Sequence, residues 1–169
     1  MKTKVIEVST DTNIGGAGKC LITLLENFDY KLFEVKVILP PNSLLKPLVE
    51  STGVSVIEVP GIAEKSLDFG SILPLKKIFK EERPDIVHTH ASLSARIAAR
   101  QAGAKVVYTR HSVFPPSKYL TTFPGKQING LINNHYADAI IAVAEAAKDN
   151  LTDTGVNASK IQVILSGVD

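Results

Sequence analysis

The sequence has very little cysteine and no tryptophan. Its 169 residues include a single cysteine, Cys20, which excludes both an internal disulfide and a cysteine-rich metal site. We expect Cys20 to pack on the apolar face of a first helix, because a lone cysteine usually behaves as a small buried side chain. A chain without disulfides suits the reducing environment of the cytosol.

The sequence also lacks a charge excess and long apolar runs. Its 19 basic and 17 acidic residues give a net charge of +2, which argues against nucleic acid as a partner. No apolar run approaches the ~18 residues of a membrane span, and no signal-peptide core is present. We therefore expect a cytoplasmic location. Peripheral contact with the inner membrane face stays open, because a later helix carries Lys76, Lys77 and Lys80 on its outer face. A helix face that is simply solvated is the commoner explanation of these lysines.

Short apolar stretches that favour strands alternate with helical patterns along the whole chain. The strand patterns cover Val5–Val8, Glu34–Leu39, Val54–Val59, Asp85–His90, Lys105–Thr109, Ala139–Val143 and Ile161–Leu165. Several are nearly continuous apolar runs, which indicates a parallel sheet covered by helices on both faces. The sequence thus predicts an α/β fold, one Rossmann-like doubly wound domain over residues 1–169 with strand order 3-2-1-4-5-6-7.

A glycine-containing loop joins the first strand to the first helix. Gly15 and Gly16 lie at the start of that helix, where unpaired N–H groups attract phosphate. The P-loop pattern fails, because Asn13 replaces its first glycine and Cys20 replaces its Ser or Thr. The dinucleotide-binding pattern G-x-G-x-x-G also fails, because Leu21 occupies the position of its third glycine. From the loop alone, phosphate binding and a helix entry that binds nothing are equally good interpretations.

Polar residues gather where the first, fourth and fifth strands end. Ligands of doubly wound sheets bind at the carboxyl ends of strands near the reversal of strand order. His111 follows the fifth strand and begins a long loop, so it is the main catalytic candidate, with a surface histidine as the alternative. The guanidinium group of Arg110 is suited to pairing with a phosphate group. The alternative is that Arg110 simply faces solvent. Asp11 and Asn13 fit acceptor hydroxyl groups, or they simply favour a turn.

Two histidines share one face of the fourth strand. His88 and His90 are two residues apart, so both side chains point the same way and could act as metal ligands. Catalytic zinc sites usually have three protein ligands, and no third one is evident. We therefore expect no metal and no cofactor. In the simpler interpretation, one histidine packs below the site and the other, His90, lies at the end of the strand near the ligand.

Five segments together resemble a known family. The chain is similar to the N-terminal half of a GT-B fold glycosyltransferase of the retaining family 4 type. The resemblance covers nearly the whole chain and rests on the segments 15–17, 84–90, 106–111, 137–145 and 164–169. Two positions depart from the family pattern: Ala144 stands where serine is usual, and Ser166 where asparagine is usual.

The resemblance implies roles for the residues singled out above. It implies that Gly15 and Gly16 approach the diphosphate of a nucleotide-sugar donor, and that His111 contacts the transferred sugar. It places Asp11, Asn13 and residues 112–122 at the edge of an acceptor, which is a sugar, a glycan or a lipid-linked compound. It also implies a partner domain, the protein's own C-terminal donor-binding half. That half is absent from this chain, so the fragment alone is expected to be inactive.

Two other functions remain compatible with the sequence. One is a nucleotide-sugar epimerase related to the same fold, which would need catalytic carboxylates and histidines near the nucleotide. The other is a non-catalytic module that binds a nucleotide or phosphate. A second domain encoded downstream would favour the transferase.

Overall fold

The computed structural model describes residues 1–111 and 113–165. Its centre is one sheet of seven parallel strands in the order β3-β2-β1-β4-β5-β6-β7, which confirms the predicted topology. Strands β1 to β7 are Thr3–Ser9, Phe33–Leu39, Ser55–Glu58, Ile86–His90, Lys105–Arg110, Ala139–Ala142 and Ile161–Val163. The strand order reverses between β1 and β4, and this opens a crevice at their carboxyl ends.

Helices cover both faces of the sheet. Helices α1 to α7 are Gly16–Glu26, Lys46–Ser51, Phe69–Glu82, Leu93–Ala102, Lys118–Thr121, Gly125–His135 and Glu145–Asp153, and a 3-10 turn spans Ala158–Lys160. No helix in the described ranges is both long and apolar enough to cross a bilayer.

Each face of the sheet has its own apolar core. On one face, Leu21 and Leu25 of α1 pack with Val49 of α2 against β1 and β2. On the other face, Leu75 and Phe79 of α3 pack with α4 against β1 and β4. A third cluster forms between β5, β6 and α7. The central strands are buried on both faces, and several of the polar residues they carry, among them Glu7, His88 and His90, lie toward their carboxyl ends.

Helix α4 has the ends that its sequence predicts. The Ser92 side chain accepts a hydrogen bond from the Ala95 N–H, and Gly103 ends the helix at a φ of 92°. These are the usual N-terminal and C-terminal caps, and they fix the helix that follows His90.

Two helices differ from the prediction. The sequence of residues 110–124 predicts one long loop, but the four-residue α5 lies inside it, because so short a helix shows no apolar periodicity. The sequence of residues 43–50 predicts a short helix from Ser43 to Glu50, but helix α2 begins at Lys46. The reason is local: the Ser43 hydroxyl donates a hydrogen bond to the Asp11 carbonyl oxygen at 2.7 Å, which holds this segment against the loop after β1.

Candidate functional site

A buried carboxylate lies between two histidines at the centre of the sheet. The pairing of β1 with β4 sets Glu7 opposite His88 and Ser9 opposite His90. The Glu7 Oε2 atom lies 2.8 Å from His88 Nδ1 and 3.1 Å from His90 Nε2. Glu7 is only 1% exposed, so its charge needs these partners in place of water.

The third histidine joins the group from the end of β5. His111 Nε2 lies 2.8 Å from His90 Nδ1, and the two rings stack with centroids 5.0 Å apart. On the other side, His88 Nε2 lies 2.7 Å from the Thr109 hydroxyl. We call Glu7, His88, His90 and His111 the histidine cluster. It links the neighbouring strands β1, β4 and β5 at their carboxyl ends, where the strand order of the sheet reverses.

The histidine cluster perturbs the acidity of its members. Burial, the strongest single influence, raises the pKa of Glu7, but the attraction and N–H hydrogen bonds of His88 and His90 outweigh it and bring the pKa to about 2. Burial lowers the pKa of His111, and repulsion from His90 and His88 lowers it further, to about 4. At neutral pH, Glu7 is therefore ionised and His111 is uncharged.

These contacts form a hydrogen-bonded chain from Glu7 through His90 to His111. Ionised Glu7 only accepts hydrogen bonds, so His90 presents its Nε2–H to it and turns Nδ1 toward His111. If His90 is neutral, the His111 Nε2–H donates to His90. If His90 is protonated, it donates to His111 instead, and the proton of His111 then sits on Nδ1. The chain thus couples the two tautomers of His111 to the charge of His90.

Asp11 lies at the rim of the histidine cluster. Its pKa is raised, first by partial burial and second by repulsion from Glu64. Glu64 accepts hydrogen bonds from the Thr12 N–H at 2.8 Å and the Thr12 hydroxyl at 2.5 Å. Asn13 is exposed beyond them. The structure therefore places Asp11 beside the cluster and Asn13 further out.

The glycines at the start of α1 face open space. A Cβ added to Gly15 or Gly16 would meet no heavy atom within 4 Å, and neither residue has a positive φ. At Gly18, by contrast, an added Cβ would lie 2.6 Å from Leu45 Cδ2. A side chain at position 18 would thus have to displace the buried Leu45 side chain, whereas the packing gives no reason for glycine at 15 or 16.

Arg110, at the end of β5, reaches helix α7 with its guanidinium group. Its Nη2 group donates to Asn150 Oδ1 of α7 at 3.3 Å. Between this arginine and α6 lies a cavity of about 230 Å³, which we call the β5 cavity. Its principal lining residues are Tyr108, Arg110, Phe114, Asn129, Asn133 and Asn150.

The sequence interpretation missed Glu7, and with it a possible third metal ligand. Atoms of Glu7, His88 and His90 all lie within 4.8 Å of one another, so the expectation that no third ligand accompanies the histidines was wrong. The signal was a lone acidic residue inside the apolar strand β1. Direct hydrogen bonds at 2.8 and 3.1 Å already satisfy the cluster. Ser112 and residues 166–169, which entered the predicted acceptor edge and closing motif, lie outside the described residues.

Comparison with known proteins gives this geometry a context. The family model for Glycosyltransferase Family 4 matches residues 14–169. The UDP-Gal:alpha-D-GlcNAc-diphosphoundecaprenol alpha-1,3-galactosyltransferase of Escherichia coli is 31% identical over 185 residues, covering 99% of this chain and 46% of that protein.

Solved structures share the fold. Anabaena HepE in complex with UDP and glucose aligns with a TM-score of 0.76 and 20% identity, over 99% of this chain and 45% of its own. A UDP-GlcNAc 2-epimerase from Neisseria meningitidis bound to UDP-GlcNAc aligns with a TM-score of 0.64 and 15% identity, over 95% of this chain and 45% of its own. The chain spans just under half the length of these proteins. With the family match extending over nearly all of it, the chain belongs to Glycosyltransferase Family 4.

Proposed function

We propose that this chain is the acceptor-side, N-terminal domain of a retaining glycosyltransferase that moves a hexosyl group from a nucleotide sugar to an acceptor. The observation that carries the proposal is the Glu7–His90–His111 hydrogen-bonded chain. It ends at the crevice where strand order reverses, which is where doubly wound sheets bind their ligands.

His111 is the proposed catalytic residue. An uncharged imidazole can donate to or accept from a sugar hydroxyl, and its hydrogen bond to His90 fixes the ring orientation. Because its pKa lies well below 7, His111 adds no positive charge beside an electron-deficient sugar carbon. We therefore assign it to orienting the transferred sugar rather than to neutralising the leaving phosphate.

The first turn of α1 is the proposed site for the donor diphosphate. Its free N–H groups carry partial positive charge that would stabilise a leaving nucleoside diphosphate. The open space at Gly15 and Gly16 leaves room for that approach. Solved structures of the same fold hold UDP with glucose or UDP-GlcNAc, which supports a uridine nucleotide sugar as the donor.

A second domain is needed for transfer in this proposal. A donor bound in the crevice would be enclosed when a C-terminal donor-binding domain closes over it and excludes water. The 169-residue chain alone is therefore proposed to be inactive. We place the protein in the cytoplasm. Peripheral membrane contact through the exposed Lys77 and Lys80 of α3 would suit a lipid-linked acceptor.

The acceptor is a sugar, a glycan or a lipid-linked compound. The name of the Escherichia coli relative specifies a sugar carried on diphosphoundecaprenol, and this supports the lipid-linked class. The half-buried carboxylate of Asp11 and the exposed carboxylate of Glu64 lie at the rim, where they would accept hydrogen bonds from acceptor hydroxyl groups.

The test is the change His111→Ala in the longer protein that contains both domains. We expect turnover of the nucleotide sugar to fall by roughly 10²-fold or more, the usual effect of removing a positioned catalytic group. His135→Ala, an exposed histidine at the end of α6, is the matched control and should have normal turnover. Equal activity of the two variants would remove His111 from the site. Interconversion of UDP-GlcNAc without an acceptor would favour the epimerase instead.

A further inference from the structure

The charges of this chain are distributed unevenly along the sequence. No Asp or Glu occurs between Asp85 and Asp138, although the net charge of the whole chain is only +2. Helices α5 and α6, and the segment that leads into them from β5, lie inside this stretch. The basic residues of the stretch are Arg96, Arg100, Lys105, Arg110, Lys118 and Lys126. This part of the molecule therefore carries positive charge without any acidic residue of its own.

Large apolar side chains are exposed on the same part of the molecule. Phe123 is 81% exposed, Leu131 71%, Phe114 68% and Tyr119 58%, and Ile128 is exposed as well. We call these five side chains the α5–α6 surface. Ile128 and Leu131 are three residues apart, so they lie on one side of α6. Single exposed apolar residues are normal, but a group of this kind marks a contact with a partner.

The exposure of these rings is built into the fold. The Phe114 carbonyl oxygen accepts a hydrogen bond from Asn150 Nδ2 at 2.7 Å, so α7 holds the backbone of a residue whose ring is exposed. Tyr119 packs against the start of α6, where a Cβ added to Gly125 would lie 2.7 Å from its ring. The α5–α6 surface is thus a fixed feature that meets a partner without being reordered.

Two lysines without acidic partners accompany the apolar side chains. Lys118 lies on α5 and Lys126 on α6, and neither forms an ion pair with any residue that the structure describes. On α3, by contrast, Lys77 pairs with Glu81 at 3.9 Å, so that helix face has mixed charge. Aromatic and aliphatic side chains combined with unpaired lysines are typical of segments that lie at a membrane interface.

We propose that the α5–α6 surface docks on an anionic lipid bilayer, with Phe123 and Leu131 inserted among the headgroups and Lys118 and Lys126 beside lipid phosphates. The bilayer offers both complements at once, because negative headgroups lie directly above apolar acyl chains. The absence of acidic residues from this stretch matches a negatively charged partner, since any carboxylate there would be repelled by the headgroups.

Docking in this orientation would bring a lipid-linked acceptor to the crevice. Phe114 lies three residues after His111, so the α5–α6 surface and the histidine cluster begin at the same end of β5. A lipid-linked acceptor would keep its chain in the bilayer while its sugar reaches His111. This use of the surface rests on the proposed function, whereas the docking itself does not.

The first experiment measures co-sedimentation of the longer two-domain protein with vesicles of equal parts phosphatidylglycerol and phosphatidylcholine. We expect binding that weakens as salt rises and is much weaker on phosphatidylcholine alone. Phe123→Ser should weaken binding roughly tenfold, because it removes an apolar side chain that the bilayer buries. Leu32→Ser is the matched control: Leu32 is 61% exposed just before β2, at the opposite edge of the sheet, and this variant should bind like the wild type.

Two results of this experiment would overturn the proposal. One is equal binding of Phe123→Ser and Leu32→Ser. The other is no binding to the phosphatidylglycerol vesicles, which is the result expected if the second domain or another copy of the chain covers the α5–α6 surface.

A second experiment tests the lysines with the same vesicles. Lys118→Gln and Lys126→Gln should each weaken binding about fivefold, the usual contribution of one lysine near an anionic membrane. Lys105→Gln is the control, because Lys105 belongs to the same acid-free stretch but is exposed at the amino end of β5. Equal losses in all three variants would show that binding follows total charge, which would refute a defined docking surface.

A third experiment observes insertion directly and requires no activity. The 169-residue chain has no tryptophan, so Phe123→Trp gives it a single fluorophore. Its emission should move to shorter wavelength with the phosphatidylglycerol vesicles and be quenched by brominated acyl chains, whereas the emission of Leu32→Trp should not change. Unchanged emission of Phe123→Trp at saturating lipid would refute insertion.

A fourth experiment separates docking from the proposed function. In the two-domain protein, Phe123→Ser should raise the KM of a long-chain lipid-linked acceptor held in vesicles about tenfold and leave the KM of its short-chain, water-soluble analogue unchanged. Equal KM changes for the two acceptors would refute the role of docking in acceptor delivery. Vesicle binding that depends on Phe123 in a protein that transfers no sugar would refute the proposed function and leave the docking surface standing.

Discussion

Glu7 offers the sharpest test of the histidine cluster, through the change Glu7→Gln. Glutamine keeps the shape of the side chain and removes its charge, so it mimics a permanently protonated Glu7. Folding brings the pKa of Glu7 from its ordinary 4.5 to about 2. One pKa unit corresponds to about 1.4 kcal/mol, so ionised Glu7 contributes roughly 3 kcal/mol to the free energy of unfolding at pH 7.

The sign of this contribution fixes its pH dependence. A carboxyl group whose pKa is lowered by folding stabilises the protein above its unfolded pKa, and the stabilisation is lost as pH falls through the folded pKa. The difference in the free energy of unfolding between wild type and Glu7→Gln should be constant above about pH 5. It should fall to roughly half by pH 3 and vanish below about pH 2.

Urea unfolding of the 169-residue chain, followed by circular dichroism at several pH values, measures this difference. Glu145→Gln is the control, because that carboxylate is 71% exposed on α7 and its loss should change stability by less than about 0.5 kcal/mol. Two results would contradict a stabilising pairing of ionised Glu7 with His88 and His90. One is a loss of unfolding free energy in Glu7→Gln below about 1 kcal/mol at pH 7, and the other is a loss that does not change down to about pH 3.

Two further predictions concern the glycine loop and metal ions. Gly16→Val in the longer protein should raise the KM of the nucleotide sugar about tenfold with unchanged stability, whereas Gly130→Ala should lower the melting temperature, since its Cβ would overlap the Gly155 carbonyl oxygen. A normal donor KM in Gly16→Val would exclude close approach of the diphosphate. EDTA should leave sugar transfer unchanged, because hydrogen bonds already satisfy Glu7, His88 and His90. Inhibition that zinc reverses would show that this group holds a metal.

The sequence predicted the sheet well because its signals are local. Several of the strands are nearly continuous apolar runs, and many of the connections carry Gly, Pro or a capping residue such as Ser92. Strand order then follows from right-handed connections between parallel strands. The sequence could place His111, Asp11 and the glycines at the carboxyl edge of the sheet because strand ends alone locate the loops there.

The missed parts of the site depend on contacts between distant segments. Glu7 became part of the cluster only through the register of β1 against β4, which sequence patterns do not reveal. Arg110 donates a hydrogen bond to Asn150 of α7, 40 residues away along the chain. Arg96 is buried on α4 through contacts with Asn133 of α6 and Tyr108 of β5, which the alanine-rich sequence of the helix does not indicate.

The wide sequence separation within the cluster also bears on how the chain folds during synthesis. Glu7 and His90 are 83 residues apart, and His111 comes later still. While the ribosome has delivered only β1, α1 and β2, burying Glu7 would leave a carboxylate without a partner, so the early βαβ unit cannot close tightly around it. The centre of the sheet is thus expected to consolidate late, after β4 and β5 have emerged, in a single cooperative step.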